Sequence, residues 1–187
     1  MNRPAIEYAM ERFKNRYDLI IAEIGVAAGG NAYNMLKAFP QIKNIVLVDP
    51  YIKFGNGNDN DFTPQERQDI IKEQMFERLK EFEHKKVFIH QTSKFACELM
   101  LDNYFDFIYI DGDHSYKAVL EDIKMWYPKV KIDGFIAGHD YNTTTGVSKA
   151  VDEFCKNNSR KVKFFTTEKP TTDNSDWLID KGFICSY

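Results

Sequence analysis

The stretch YDLIIAEIGVAAGG, residues 17–30, constrains this chain most. A short apolar run meets an acid, Glu23, then glycines at 25, 29 and 30, then residues spaced for a helix. A second apolar run, IVLV, follows and ends on Asp49. Strand, glycine turn, helix and strand in that order require a parallel pair joined by a right-handed crossover. Two later runs, FIYIDGDH and FIAGHDY, also stop at acids and histidines. In a doubly wound α/β sheet, ligands bind beyond the carboxyl ends of the strands, so the chemistry is expected at these four strand ends.

The rest of the chain continues the alternation. Ile6, Ala9, Met10 and Phe13 predict a leading helix over 5–15, with Pro4 near its start. Strands are expected over 19–24, 45–48, 87–90, 107–110, 135–137 and 162–166. The fifth is expected to be entered through a turn at Asp133-Gly134. Helices are expected after Gly30, with Ala32, Met35, Leu36 and Phe39 facing in, and over 94–101, 116–127 and 147–155. Another starts at Thr63, Pro64 and Glu66 by cap chemistry and runs to about 82. On the 116–127 helix, Glu121 and Asp122 are expected on the wet side. The tail DWLIDKGFICSY reads as two extended pieces turned at Lys181-Gly182. Residues 54–64, FGNGNDNDFTP, are turn formers without periodicity. A solvated loop and a lid over the substrate both fit them. The whole of 1–187 is expected to be one domain.

Composition excludes several classes. No apolar run approaches the roughly 20 residues that span a bilayer, and the N-terminal residues lack an apolar signal core. Cys97, Cys155 and Cys185 have no ligand spacing and suit a reducing, cytoplasmic setting. Net charge is -3 and no broad basic stripe exists, which disfavours nucleic acid as a substrate. A small-molecule substrate is expected instead, a sugar or polyol being one candidate; the oligomeric state stays open, a homodimer being one option.

The glycine turn departs from a dinucleotide fingerprint. Ala27 stands where its second glycine belongs, and Glu23 would repel a pyrophosphate. Glu23 can instead meet an ammonium or face the backbone of the turn. Gly25 lets the chain bend, and Gly29-Gly30 bring the helix start close to a ligand. Asp49 follows the second strand, where its two oxygens can accept both hydroxyls of a ribose. The pattern suits a nucleoside carrying an amino acid and a sulfonium.

Asp111, Asp113 and His114 follow the fourth strand, and His139 and Asp140 the fifth. Adjacent parallel strands lie about 4.8 Å apart, so Asp111, His139 and Asp140 can converge. Carboxylates gathered there need a cation or proton to offset them. A divalent metal is the simplest such cation; it would bind a substrate diol and acidify a hydroxyl. Magnesium prefers oxygen ligands, so His139 leaves room for manganese, iron or zinc. His114 titrates near neutrality and can take a hydroxyl proton, although a packing role also fits it.

On EIGVAAGG, LVDPY, HQTS, the long IDGDHSY-to-GHDY block and the tail, the chain resembles the class I S-adenosylmethionine-dependent methyltransferases. Within them it looks most like metal-dependent small-molecule O-methyltransferases. The resemblance implies a Rossmann-like α/β sheet of seven strands in the order 3-2-1-4-5-7-6, with strand 7 antiparallel. It implies a cofactor site of Glu23, Gly25, Ala27, Gly29, Asp49 and Asp111, with Thr92 and Ser93 near adenine. It further implies magnesium or manganese on Asp111, His139 and Asp140, and catalysis by His114 with Asp111. Three alternatives stay open. One is a metal-independent methyltransferase with a histidine base. Another is a non-catalytic cofactor-binding protein. A nicotinamide oxidoreductase is disfavoured by Glu23 and Ala27.

Overall fold

The structure, a computed structural model, describes residues 3–53, 63–165 and 175–182. Seven strands form one sheet: β1 (Leu19–Ile24), β2 (Ile42–Val48), β3 (Lys86–Ile89), β4 (Phe105–Ile110), β5 (Val130–Gly138), β6 (Val162–Phe165) and β7 (Asp176–Asp180). Their order is β3-β2-β1-β4-β5-β7-β6. All pairs from β3 to β5 are parallel, while β7 runs antiparallel to both β5 and β6. This is the Rossmann-like α/β sheet that the resemblance implied.

Helices cover both faces. α1 (Pro4–Arg12), α2 (Gly30–Ala38) and α3 (Gln65–Arg78) share a core with one face, through Ile6, Met10, Met35, Leu36 and Met75. α4 (Ser93–Glu98), α5 (Tyr116–Trp126) and α6 (Thr145–Asn157) cover the other, around Trp126, Ile123, Val151 and Phe154. The central strands are apolar at nearly every position because both faces are covered; all six positions of β4 are buried, Asp106 among them. Each large side chain fully buried this way contributes about 1.5–3 kcal/mol.

Some expectations are corrected. Asp133-Gly134 is not a turn before β5 but lies inside it, at a register shift against β4. Gly134 is required there because a Cβ would lie 2.6 Å from the Asp106 carbonyl oxygen. Asp122 is not on the wet side of α5. It is 8% exposed, accepts from the Ser93 hydroxyl, and has its pKa pushed up to about 6, chiefly by burial. β2 begins three residues earlier than expected and α4 ends sooner. Residues 54–64, expected as a solvated loop or a lid, fall outside the described residues except for the last two positions, as do Thr166 and the final extended piece. Among the described residues no helix is long and apolar enough to cross a membrane.

Candidate active site at the carboxyl ends of β1, β2, β4 and β5

The parallel ladder continues one step beyond the strands. Gly25 N donates to Val48 O at 2.9 Å, Asp111 N to Ile24 O at 2.7 Å, and His139 N to Ile110 O at 3.3 Å. The residues that follow β1, β4 and β5 are therefore held in register along one rim, beside Asp49 after β2.

On the β1–β2 side, Gly25 has φ +85°, and a Cβ on it would lie 2.3 Å from the Asp111 carbonyl oxygen. Ala27, at φ 46°, bends the loop where a fingerprint would use glycine. Asp49 holds that loop: Oδ2 accepts from Val26 N at 2.9 Å and Ala27 N at 3.0 Å, and Oδ1 from Tyr51 N at 2.9 Å. The Tyr51 hydroxyl donates to Ala27 O at 2.5 Å. Two carboxylate oxygens offer about four acceptor positions, so one remains on Oδ1 after these bonds. Gly29, at φ 72°, opens α2.

Glu23 lies beneath the loop, 1% exposed. Its Oε1 accepts from Asn31 Nδ2 at 2.9 Å, and its buried Oε2 has no hydrogen-bond partner. Burial pushes its pKa up to about 8; Asn31 opposes this, Asp111 and Asp49 add to it, and Arg3 opposes it. An unfolded glutamate ionises near 4.5, so between there and about 8 the folded state holds a proton that the unfolded state has lost. Stability should therefore fall as pH rises through that window, by up to about 1.4 kcal/mol per pH unit from this group. Glu23→Gln should remove that slope, measured by urea unfolding between pH 5 and pH 8. An unchanged slope would mean that Glu23 is ionised when folded.

On the β4–β5 side, His114 Nδ1 lies 2.9 Å from Asp140 Oδ2. Its buried Nε2 has no hydrogen-bond partner and is 3.5 Å from Asp111 Oδ1, too far for a firm bond. Asp111 raises the His114 pKa most; burial opposes this, and the charges of Asp140, Asp111 and Asp113 raise it further. His139 is 8% exposed. Its Nδ1 lies 2.7 Å from Asp140 Oδ1 without hydrogen-bond alignment, and its Nε2 contacts Arg3 Nη1. Arg3 Nη2 is 3.8 Å from Asp111 Oδ2. Asp140 sits at φ 63°, which turns its carboxylate back toward both histidines.

The model of a family described as a methyltransferase domain matches residues 22–141, which hold the whole rim. The chain belongs to this methyltransferase family. A curated relative, an uncharacterised protein of Acanthamoeba polyphaga mimivirus, is 27% identical over 137 residues, 72% of this chain. The chain spans 58% of that relative's length. Among solved structures, the O-methyltransferase NovP has a TM-score of 0.70 at 15% identity, covering 95% of this chain and 79% of NovP. An O-methyltransferase of Thermotoga maritima has a TM-score of 0.67 at 9% identity, over 98% and 66% of the two chains. An rRNA methylase of Streptococcus thermophilus has 0.66 at 11%, over 95% and 93%. Identities this low establish a shared fold and leave the acceptor open.

The methyltransferase domain places its expected site residues unevenly. Glu23, Gly25, Ala27, Gly29 and Asp49 gather around the turn after β1, and Asp111, whose amide bonds Ile24 O beside it, adjoins His114, His139 and Asp140. Thr92 caps α4, accepting from Phe95 N at 3.4 Å. The Ser93 hydroxyl is used internally, donating to Asp122 and accepting from Trp126 Nε1 at 2.8 Å. The expected metal set does not form: among the described residues no group of three His, Cys, Asp or Glu side chains is arranged to hold an ion. The reason is local, since His139 faces Arg3 with one nitrogen and Asp140 with the other. A partnerless buried carboxylate oxygen at Glu23, by contrast, fits a cationic amino group. Sequence reasoning missed Arg3, Asn31 and Tyr51. Asn31 follows Gly30 directly and could have been noticed; nothing local marks Arg3.

Proposed function

We propose that this domain transfers a methyl group from S-adenosylmethionine to a hydroxyl of a small molecule, with His114 as the base. The observation that carries this reading is the Asp140–His114 pair, 2.9 Å apart, on the same rim as the glycine turn, in which the other ring nitrogen of His114 lacks a hydrogen-bond partner. Glu23, Gly25, Ala27, Gly29, Asp49 and Asp111 are the residues assigned to the cofactor, with Thr92 and Ser93 at the adenine end. Bound there, S-adenosylmethionine supplies an electrophilic methyl group on a positively charged sulfur. Asp140 holds the His114 ring with Nδ1 protonated, which leaves Nε2 to take the acceptor's proton. Asp111, beside that nitrogen, stabilises the imidazolium as it forms. The rim aligns acceptor oxygen and methyl carbon, and alignment supplies much of the rate.

Magnesium or manganese on Asp111, His139 and Asp140, the expectation from the resemblance, is not part of this reading because Arg3 contacts His139 Nε2 and lies 3.8 Å from Asp111 Oδ2. The buried thiol of Cys97 fits a reducing, cytoplasmic setting.

The test is calorimetric binding of S-adenosylmethionine against NAD, then turnover screening over hydroxylated metabolites with and without a chelator. His114→Gln should lower kcat about 10²-fold or more and leave cofactor affinity nearly unchanged. In the unmutated protein activity should rise with pH along a limb above the ordinary histidine range, because the ring must lose its proton first. Full turnover in His114→Gln with the same limb would place the base elsewhere. Tight NAD binding without S-adenosylmethionine binding would overturn the cofactor assignment.

A further inference from the structure

We propose that Arg3 is the resident cation of the acceptor site, a positioning residue that locks His139 and Asp111 and keeps divalent ions out of the cluster. The inference goes beyond methyl transfer and stands on the geometry around α1. Two carboxylates, Asp111 and Asp140, occur at neighbouring strand ends with side chains 20% and 11% exposed. Such a pair demands a nearby positive charge. The Arg3 guanidinium, 27% exposed, supplies it, with Nη2 3.8 Å from Asp111 Oδ2 and Nη1 on His139 Nε2.

That contact decides the imidazole's state. Arginine only donates, so His139 Nε2 accepts and its proton sits on Nδ1, which lies 2.7 Å from Asp140 Oδ1 without bonding it. Neither nitrogen then offers a lone pair to a metal. The planar guanidinium, always charged, suits a place where a charge must be permanent.

Arg3 is not held by its own contacts alone. It is the N-cap residue of α1, followed by Pro4 at the first helical position. The cap lacks a side-chain bond of its own; instead Asp176, on β7 and wholly buried, accepts from Ala5 N at 3.0 Å. Tyr109 on β4 donates its hydroxyl to the other Asp176 oxygen at 3.0 Å. Ala5, Ile6, Ala9 and Met10 press the helix onto the sheet. A carboxylate from a distant strand thus anchors the helix start that aims Arg3 at the rim. The arrangement leaves His114 Nε2 as the ring nitrogen without a hydrogen-bond partner in the cluster.

The test titrates manganese into the protein with S-adenosylhomocysteine present, followed by electron paramagnetic resonance and water proton relaxation. Removing one charge 3.8 Å from Asp111 should raise manganese affinity about a hundredfold. Arg3→Ala and Arg3→Met should show that gain, and adding Asp111→Asn should abolish it. Arg3→Lys, which keeps the charge, should exclude manganese nearly as well as the unmutated protein. Arg3→Met retains most of the side chain's packing, so it decides the matter if Arg3→Ala fails to fold. Unmutated protein that binds manganese at His139 as tightly as Arg3→Met overturns the proposal. Intact S-adenosylhomocysteine affinity with no gain in Arg3→Met overturns it while sparing the methyltransferase reading; failure of the unmutated protein to bind that nucleoside strikes the reading alone.

Discussion

Gly25→Ala is expected to abolish cofactor binding and to destabilise the domain by about 3 kcal/mol or more, lowering the melting temperature by about 10 °C. Two effects add. The residue sits at φ +85°, which any L side chain resists. The new Cβ would also meet backbone, not a flexible side chain: 2.3 Å from Asp111 O, 2.6 Å from Asp111 C and 2.7 Å from Gly112 Cα. Relief would require β1 and β4 to part at the rim, where Asp111 N bonds Ile24 O. Asp111 would move with them, and the glycine turn would lose its register with His114 and His139. Calorimetry with S-adenosylhomocysteine and thermal unfolding check both halves. Affinity within twofold of the unmutated protein would show that the turn can relax, against this account.

Asp49→Ala should be nearly as damaging, for a reason the strand-end position alone does not reveal. Its carboxylate accepts from three backbone amides, those of Val26, Ala27 and Tyr51. Hydrogen bonds to a charged group contribute about 1.5–3 kcal/mol each, and exposure to water after truncation offsets part of that. Ala27 and Tyr51 both have positive φ, at 46° and 42°, so the loop holds a strained shape that Asp49 maintains. A stability loss of about 2–4 kcal/mol in urea is expected, with cofactor affinity down more than tenfold. Lost affinity at unchanged stability would instead assign Asp49 wholly to the ribose. If neither loss appeared, Asp49 would have no role in the site.

The doubly wound sheet was readable because its signals are local. An apolar run of strand length, a glycine turn and a helical period recur along the chain, and the crossover rule orders them. The strand-end acids and histidines were readable for the same reason, since parallel strands in register bring residues 25, 49, 111 and 139 to one rim. Asp133-Gly134 misled because the same dipeptide marks a turn or a strand irregularity, and only the approach of Asp106 distinguishes them. Asp122 misled because α5 packs on α4, which buries a carboxylate that helical spacing alone placed in water.

What the sequence by itself determined is the fold, the rim and the chemical types gathered on it. Tertiary structure alone decided the state of those groups. Burial pushes the Glu23 pKa up to about 8, and no neighbour in sequence reports that burial. Asp176 anchors a helix 171 positions away, and that helix carries Arg3 to His139, 136 positions distant. Charge and protonation depend on distance and dielectric through space, whereas periodicity records only distance along the chain.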